Sequence, residues 1–373
     1  MKIKPFQLER YFAKYEFSAP YLLSSSDCEA LELQELLEMA KPETRKLWDE
    51  LKLSYTESPG HPLLREEITK LYNSVTADEV NVLVPEEGIF IAMNCILEKG
   101  DHVVATFPGY QSLYEIASSL GCDVSFWQPE NKNGWFFDVE KLKSLIRPET
   151  KLVVVNFPHN PTGATISKDQ QKEIINVCRE KGLILFSDEM YRFLEYNETG
   201  RLPSASDLYE NAISLFGLSK SFALPGLRIG WLVTKNKKLM DEIAGFKDYT
   251  TICNNAPGEI LAIMALQNKD KIVNRNLKLI TQNLDILDDF FAKHKNLFEW
   301  NRPKAGPIAF PGWKGRGDVN GFCQKLVDEK GVMLLPSGVY SYPGNNFRIG
   351  FARNNMPQSL EKLGEFLDEN RML

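Results

Sequence analysis

Between residues 80 and 235 the chain alternates short apolar, β-branched runs with longer amphipathic stretches. The runs are VNVLV (80–84), HVVAT (102–106), DVSFW (123–127), LVVVNF (152–157), LILFSD (183–188) and AISLF (212–216), with a further β-like run from Ile229 to Val233. Stretches between them, such as SLYEIASSL, VEKLKSLI and KDQQKEIINVCREK, read as helices. A strand that is apolar along its whole length must be covered on both faces, and the intervening helices supply the crossovers that parallel strands need. The pattern predicts an α/β fold whose large domain has a mostly parallel mixed sheet flanked by helices. In such sheets ligands collect outside the carboxyl ends of the strands.

The flanks read differently. Residues 1–30 carry Phe6, Tyr11, Phe12, Tyr15, Phe17 and Tyr21, but are broken by Pro5, Pro20 and Ser24–Ser26. They are expected to form an irregular arm packed on this chain or a neighbour; a helix over 6–15 docked on its own domain would satisfy the same residues. A helix is expected from Cys28 to Ala40, then a turn-rich loop leading to a helix near Pro62. Residues 236–272 read as helical, and a long helix over 273–294 bridges to shorter strands (GPIAF, GVMLLPSG, NFRIGFA) with helices at 319–330 and 358–370. That end is an α+β pattern. The division expected is an N-terminal arm and small-domain segment over 1–40, a large domain over 41–272 and a smaller C-terminal domain over 273–373.

Composition narrows the partners. With 373 residues, 43% of them hydrophobic, the chain can bury a large core and a second smaller one. Its 50 acids against 44 bases, a net charge of −6, suggest no polyanion partner, so no nucleic acid is expected. Six cysteines lie scattered without CxxC pairs or metal-ligand spacing to the four histidines, so they are read as reduced and mostly packed in cores, and no metal is expected. No apolar run reaches membrane-spanning length and the N-terminus has no long apolar segment, so no membrane partner is expected and the location expected is cytoplasmic.

Candidate chemistry gathers in the loops that follow the strands. The stretch SLFGLSKSFALPGLRIG (214–230) places Lys220 on a tight turn of small residues and Arg228 eight positions on. A lysine held from bulk water becomes a nucleophile toward carbonyls, and an arginine suits a phosphate. On its own residues the segment also fits a surface turn with two solvated cations. His159-Asn160-Pro161-Thr162-Gly163 follows LVVVNF, Asp188 ends LILFSD with Tyr191 three positions later, and Phe107-Pro108-Gly109-Tyr110 follows HVVAT. All four segments would meet along one edge of the sheet.

In order along the chain, HNPTG, SDEMY, GLSK, LPGLRIGW and FRIGFAR resemble the class I/II aminotransferases, the fold-type-I enzymes that use pyridoxal 5′-phosphate. The likeness runs from about residue 50 to the end. It implies that Lys220 is the Schiff-base lysine and that Asp188 faces the pyridinium nitrogen. Asn160 and Tyr191 would bond the ring 3′-oxygen, and Tyr110 would stack on the ring. Ser219 and Arg228 would hold the phosphate, and Arg348 would clamp the substrate α-carboxylate. Arg353, five positions later, is the poorer candidate for that clamp and reads equally as a surface charge. Tyr55 resembles a tyrosine that reaches the neighbouring subunit's phosphate, which implies a homodimer with shared active sites.

Two positions depart from the family's pattern. Val84-Pro85-Glu86-Glu87-Gly88 stands where a small-residue phosphate loop is usual, so a helix-terminus anchor would rest on the amides of Glu86 and Glu87. Gly217 stands three before Lys220, where a phosphate-binding serine is common. The resemblance implies an aminotransferase acting on an L-amino acid and a 2-oxo acid. The same lysine, ring and arginine would also serve a lyase or an oxidase. A non-catalytic ligand-binding protein on this fold is the reading of another class, and the retained lysine argues against it. Tyr15, Phe17, Tyr21, Trp313 and Tyr340 are candidates to line the substrate pocket, and no second arginine is assignable to a dicarboxylate, so side-chain specificity stays open.

Overall fold

The structure, a computed structural model, describes residues 2–131 and 134–370. Seven strands form the main sheet: β1 (Val80–Leu83), β2 (His102–Thr106), β3 (Asp123–Trp127), β4 (Thr150–Asn156), β5 (Ile184–Asp188), β6 (Ala212–Gly217) and β7 (Gly230–Val233), in the order β1-β7-β6-β5-β4-β2-β3. β7 runs antiparallel to both its neighbours, and the other pairings are parallel. Those other strands therefore point their carboxyl ends to one edge, and β7 begins there. This is the mostly parallel mixed sheet that the apolar runs predict. Strands β1, β2 and β6 are buried at every residue. Two clusters of buried side chains cover the sheet's faces, one around Trp127, Phe137 and Phe157, the other around Ile91, Ile116 and Ile213.

The N-terminal arm takes the second of the two forms expected for it, a helix docked on its own chain. Gln7–Tyr15 is a helix, and Leu8, Phe12 and Tyr15 are buried on this chain's own core with Trp127 and Tyr340. The helix expected over Cys28–Ala40 spans only Leu33–Met39. Backbone competition explains the difference: Glu29 N donates to Ala352 O at 2.7 Å and Leu31 N to Ala223 O at 3.2 Å, so these amides bridge distant segments instead of closing a turn. The helical tract expected over 236–272 divides into Lys237–Lys247 and Ala256–Gln267, because Asn255 caps the second helix through Gly258 N and Pro257 sits in its first turn. The long helix begins earlier than expected, at Lys269, and ends at Lys293.

Beyond it lie a three-stranded sheet, Leu335–Pro336, Phe347–Gly350 and Ile308–Ala309, and a two-stranded one, with the helices Val319–Lys330 and Met356–Glu369. The arm crosses the first of these sheets at close range. Gly350 N donates to Leu23 O at 3.1 Å, and a Cβ on Gly350 would meet Ser25 O at 1.8 Å, so only glycine lets the segment Leu23–Ser25 lie there. That crossing carries the arm from its own helix to the carboxyl edge of the main sheet. Among the described residues no helix is long and apolar enough to cross a membrane.

Candidate active site

The carboxyl edge of the sheet opens into a cavity of about 400 Å³. Lys220 enters it from the turn after β6, Asp188 from the end of β5, Asn160 from the loop after β4, and Tyr110 from the loop after β2. Arg228 arrives just before β7, whose reversed direction brings its start to this edge. Arg348 reaches it from the strand Phe347–Gly350, outside the main sheet. The sites expected from separate loops thus share one space.

Lys220 Nζ donates to Ser26 Oγ at 2.9 Å, and burial pushes its pKa below the usual lysine value, with Asp27 opposing and Arg348 adding to the shift. Asp188 is 5% exposed. Its Oδ1 accepts from Met190 N at 3.0 Å, and its other oxygen takes no hydrogen bond among the described residues. Burial raises its pKa to about 7, so a cationic partner would be met by a carboxyl ready to ionise. Asn156, the register neighbour of Asp188, donates from Nδ2 to Asp188 O at 3.1 Å and accepts Asn160 N on Oδ1 at 2.8 Å, tying the two loops together.

Arg348 is 1% exposed. Its Nε and Nη2 donate to Ser24 O at 3.1 and 2.9 Å, and its Nη1 to Asn160 Oδ1 at 3.2 Å. Among the described residues no carboxylate lies within ion-pair distance of it. A buried cation without a counter-charge is costly, so the site favours an anionic guest. Arg353 differs: it pairs with Asp27 at 2.8 Å and Glu29 at 3.9 Å. It is a structural ion pair and offers no free fork.

At the opposite end, Ser219, Arg228, Pro85 and Glu86 line the wall. Arg228 is exposed, and its Nη1 donates to Pro225 O at 3.0 Å. The helix Pro85–Ile96 presents its N-terminus, and proline at its first position removes only an amide that has no partner in the helix anyway. Two carboxylates sit in this first turn. Glu87 turns away from the cavity: it caps Val84 N at 3.3 Å and accepts from Thr251 Oγ1 at 2.7 Å. Glu86 does line the wall, but accepts from Ser112 Oγ, and burial raises its pKa, which lessens its negative charge near an anion. Tyr191 is buried on the cavity wall, and Tyr110 meets Phe6 at 5.0 Å between ring centroids.

Other expectations fall elsewhere. Tyr55 is 87% exposed and does not line this chain's cavity. Tyr15 donates to Gln324 Oε1 at 2.8 Å, Phe17 is exposed, Tyr21 bridges to Val332, and Trp313 stacks on Phe322 at 4.0 Å; none of them lines the cavity. Only Tyr340 stays close, with its hydroxyl 3.4 Å from Asn160 Oδ1. The arm reaches the cavity through Leu8, Glu9, Phe12, Glu16, Ser25, Ser26 and Asp27 instead. Residues 9, 12 and 16 share a helical face, and that spacing was the one available signal.

This donor set suits a phosphorylated aromatic aldehyde: an amine nucleophile, a buried carboxyl for a ring nitrogen, and a cation, a hydroxyl and a helix N-terminus for phosphate. Such a set on the carboxyl edge of such a sheet defines a pyridoxal-phosphate-dependent enzyme of fold type I. Residues 21–363 match the model of the family "aminotransferase class I and II", and the chain belongs to that family. It is 28% identical to a probable aspartate aminotransferase of Methanocaldococcus jannaschii, covering 91% of this chain and 92% of that one. It is also 28% identical to the capreomycidine synthase of Streptomyces vinaceus, over 75% of this chain and 72% of that one. Among solved structures it superposes on a pyridoxal-phosphate-dependent aminotransferase from Streptococcus suis with TM-score 0.92, at 32% identity over 99% of both chains. The pyridoxal-phosphate-dependent cyclase OrfR superposes with TM-score 0.90, at 26% identity over 99% of this chain and 98% of that one.

Proposed function

We propose that this chain transfers the amino group of an L-amino acid to a 2-oxo acid, with Lys220 as the catalytic residue. The observation that carries the reading is the buried, unpaired Arg348 facing the same cavity as the Lys220 amine. An amino acid has a carboxylate for the first and an amine beside the second.

Pyridoxal phosphate, when bound, supplies the electron sink that lets an amino acid lose its α-proton. Lys220 would anchor it; Asp188 would hold a proton on the ring nitrogen; Asn160 and Tyr191 would bond the ring 3′-oxygen, and Tyr110 would cover the ring. Ser219, Arg228 and the amides of Glu86 and Glu87 hold the phosphate. Arg348 orients the substrate through its carboxylate, and the lowered pKa of Lys220 leaves a larger share of the amine unprotonated to take the proton from the α-carbon. The exposed Tyr55 would reach the phosphate of a second copy, making the proposed working unit a homodimer with shared sites; the location proposed is cytoplasmic. The arm and small-domain segment (1–40), cofactor domain (41–272) and small domain (273–373) divide the labour.

One finding favours a second reading. A synthase and a cyclase stand among similar proteins alongside the aminotransferases. The same residues would then serve a lyase or an oxidase. The test is an anaerobic incubation of the cofactor-loaded protein with single amino acids, following the visible spectrum and the 2-oxo acid formed. One 2-oxo acid per site, reversed by adding a different 2-oxo acid, supports transamination. Product without 2-oxo acid, or turnover that requires oxygen, supports the second reading.

A further inference from the structure

The arm places acidic side chains over the cavity in a pattern the reading above leaves unused. Leu8, Glu9 and Phe12, with Glu16 at the C-terminal end of the same helix, line the cavity together with Asp27. Their charges are not equally free. Asp27 is neutralised by Arg353 at 2.8 Å. Among the described residues Glu9 hydrogen-bonds only the Tyr110 hydroxyl, at 3.4 Å, and Glu16 has no side-chain hydrogen bond or ion pair; burial, then Asp27 and Glu9, raise the Glu16 pKa, a shift that a cation beside it would reverse. Two carboxylates that form no ion pair among the described residues, and that repel each other, therefore line the same cavity as Lys220 and Arg348, and a cation entering there would relieve their repulsion.

The apolar residues between them have a matching role. Leu8 and Phe12 sit on the same helical face, with the Phe12 ring 5.8 Å from the Arg348 guanidinium carbon. A side chain with a methylene stem and a charged tip, its α-carboxylate on Arg348, would lay its stem along these two residues and carry its tip to the acids. Arg348, buried without a counter-charge, and Asp188, buried with one oxygen that takes no hydrogen bond among the described residues, line the same cavity and favour a bound guest, so the acids lie on the wall of a site already argued on other grounds.

We propose that the amino donor carries a cationic side chain, an ammonium or guanidinium on a straight alkyl stem, recognised by Glu16 and Glu9. This rests on the proposed amino-acid chemistry of the same cavity. A dicarboxylic donor is disfavoured because its second carboxylate would meet these acids, while the arginines lining the cavity among the described residues, Arg228 and Arg348, are assigned to the phosphate and the α-carboxylate.

The test compares L-arginine, L-lysine, L-citrulline, L-norleucine and L-aspartate as donors to the cofactor-loaded enzyme, reading kcat/KM for cofactor conversion. Arginine should exceed its near-isosteric neutral partner citrulline by about tenfold or more, as loss of a charge-assisted contact implies. Glu16→Gln and the double variant Glu9→Gln, Glu16→Gln should collapse the arginine-to-citrulline ratio toward one, chiefly through KM. Lysine against arginine distinguishes ammonium from guanidinium recognition. Citrulline or aspartate equal to arginine, or an unchanged ratio in the double variant, overturns the proposal. Bound cofactor that none of the donors converts overturns the amino-acid reading with it. Binding of cofactor by the variants, read from the visible band, shows that each is folded.

Discussion

Pro85 and Gly217 lie against each other at the carboxyl edge of the sheet: a Cβ on Gly217 would stand 3.1 Å from Pro85 Cγ. Gly230, the register partner of Gly217, is tighter, with its Cβ position 2.6 Å from the same carbon. The two departures from the family pattern are thus one packed feature. The proline ring, with Gly230 Cα at 3.0 Å and Ile229 O at 3.1 Å, takes the volume that a serine at 217 would need.

A first prediction follows from that contact. Gly217→Ser should destabilise the protein by about 1–3 kcal/mol through overpacking. Pro85→Ala in the same chain should recover part of the loss, with a coupling of at least about 0.5 kcal/mol. Urea titration of the four proteins of the cycle measures it, and additive effects would refute the shared-volume explanation.

Lys220→Ala should abolish the visible absorption of covalently held cofactor. It should also lower the rate of amino-acid conversion by at least about 100-fold, because it removes both the anchor and the proton carrier. Retention of an unaltered band after exhaustive dialysis would place the attachment elsewhere.

Arg348→Lys should keep the charge but lose the fork, raising KM for the amino donor by about 10- to 100-fold while the cofactor stays bound. A KM within twofold of the parent would mean that the α-carboxylate is held by another group.

Asp188 makes the cofactor-free protein's stability depend on pH. Its carboxyl is raised from the ordinary 3.8 to about 7 by burial, so between these values the folded chain keeps a proton that the unfolded chain has released. Stability from this group is complete below pH 3.8 and falls as pH rises to about 7, by at most about 4 kcal/mol. Asp188→Asn should flatten that part of the curve in chemical denaturation at pH 4 to 7.5. A wild-type difference that rises with pH would contradict the burial argument.

Tyr55 offers a test of shared sites. Mixed oligomers of Tyr55→Phe and Lys220→Ala chains should show more activity than either parent, since one composite site would then hold both Lys220 and Tyr55. Activity no greater than the average of the parents would confine Tyr55 to its own chain or remove it from the site.

Much was legible in the sequence because it is encoded locally. Apolar β-branched runs identify β1 to β7, and the loops after β2, β4, β5 and β6 carry Tyr110, Asn160, Asp188 and Lys220 a few residues from the strands that aim them. A strand's direction in the sheet then brings these loops to one edge. The arm shows where local reading ends: its aromatics suggested packing, yet it is Glu9, Phe12 and Glu16 that reach the cavity while Tyr15 and Tyr21 serve the core and a bridge.

The sequence by itself determined the α/β architecture, the order of its strands along the chain and the chemistry placed at their ends, because period and turn composition act over a few residues. Only the tertiary structure decided that Ser26 meets Lys220 across 194 positions and that Ser24 holds Arg348 across 324. It also showed what sets the two arginines apart, the ion pairs of Arg353 with Asp27 and Glu29, which Arg348 lacks. No local pattern specifies such contacts; they follow from how the arm crosses Gly350, where the lack of a side chain lets two backbones touch.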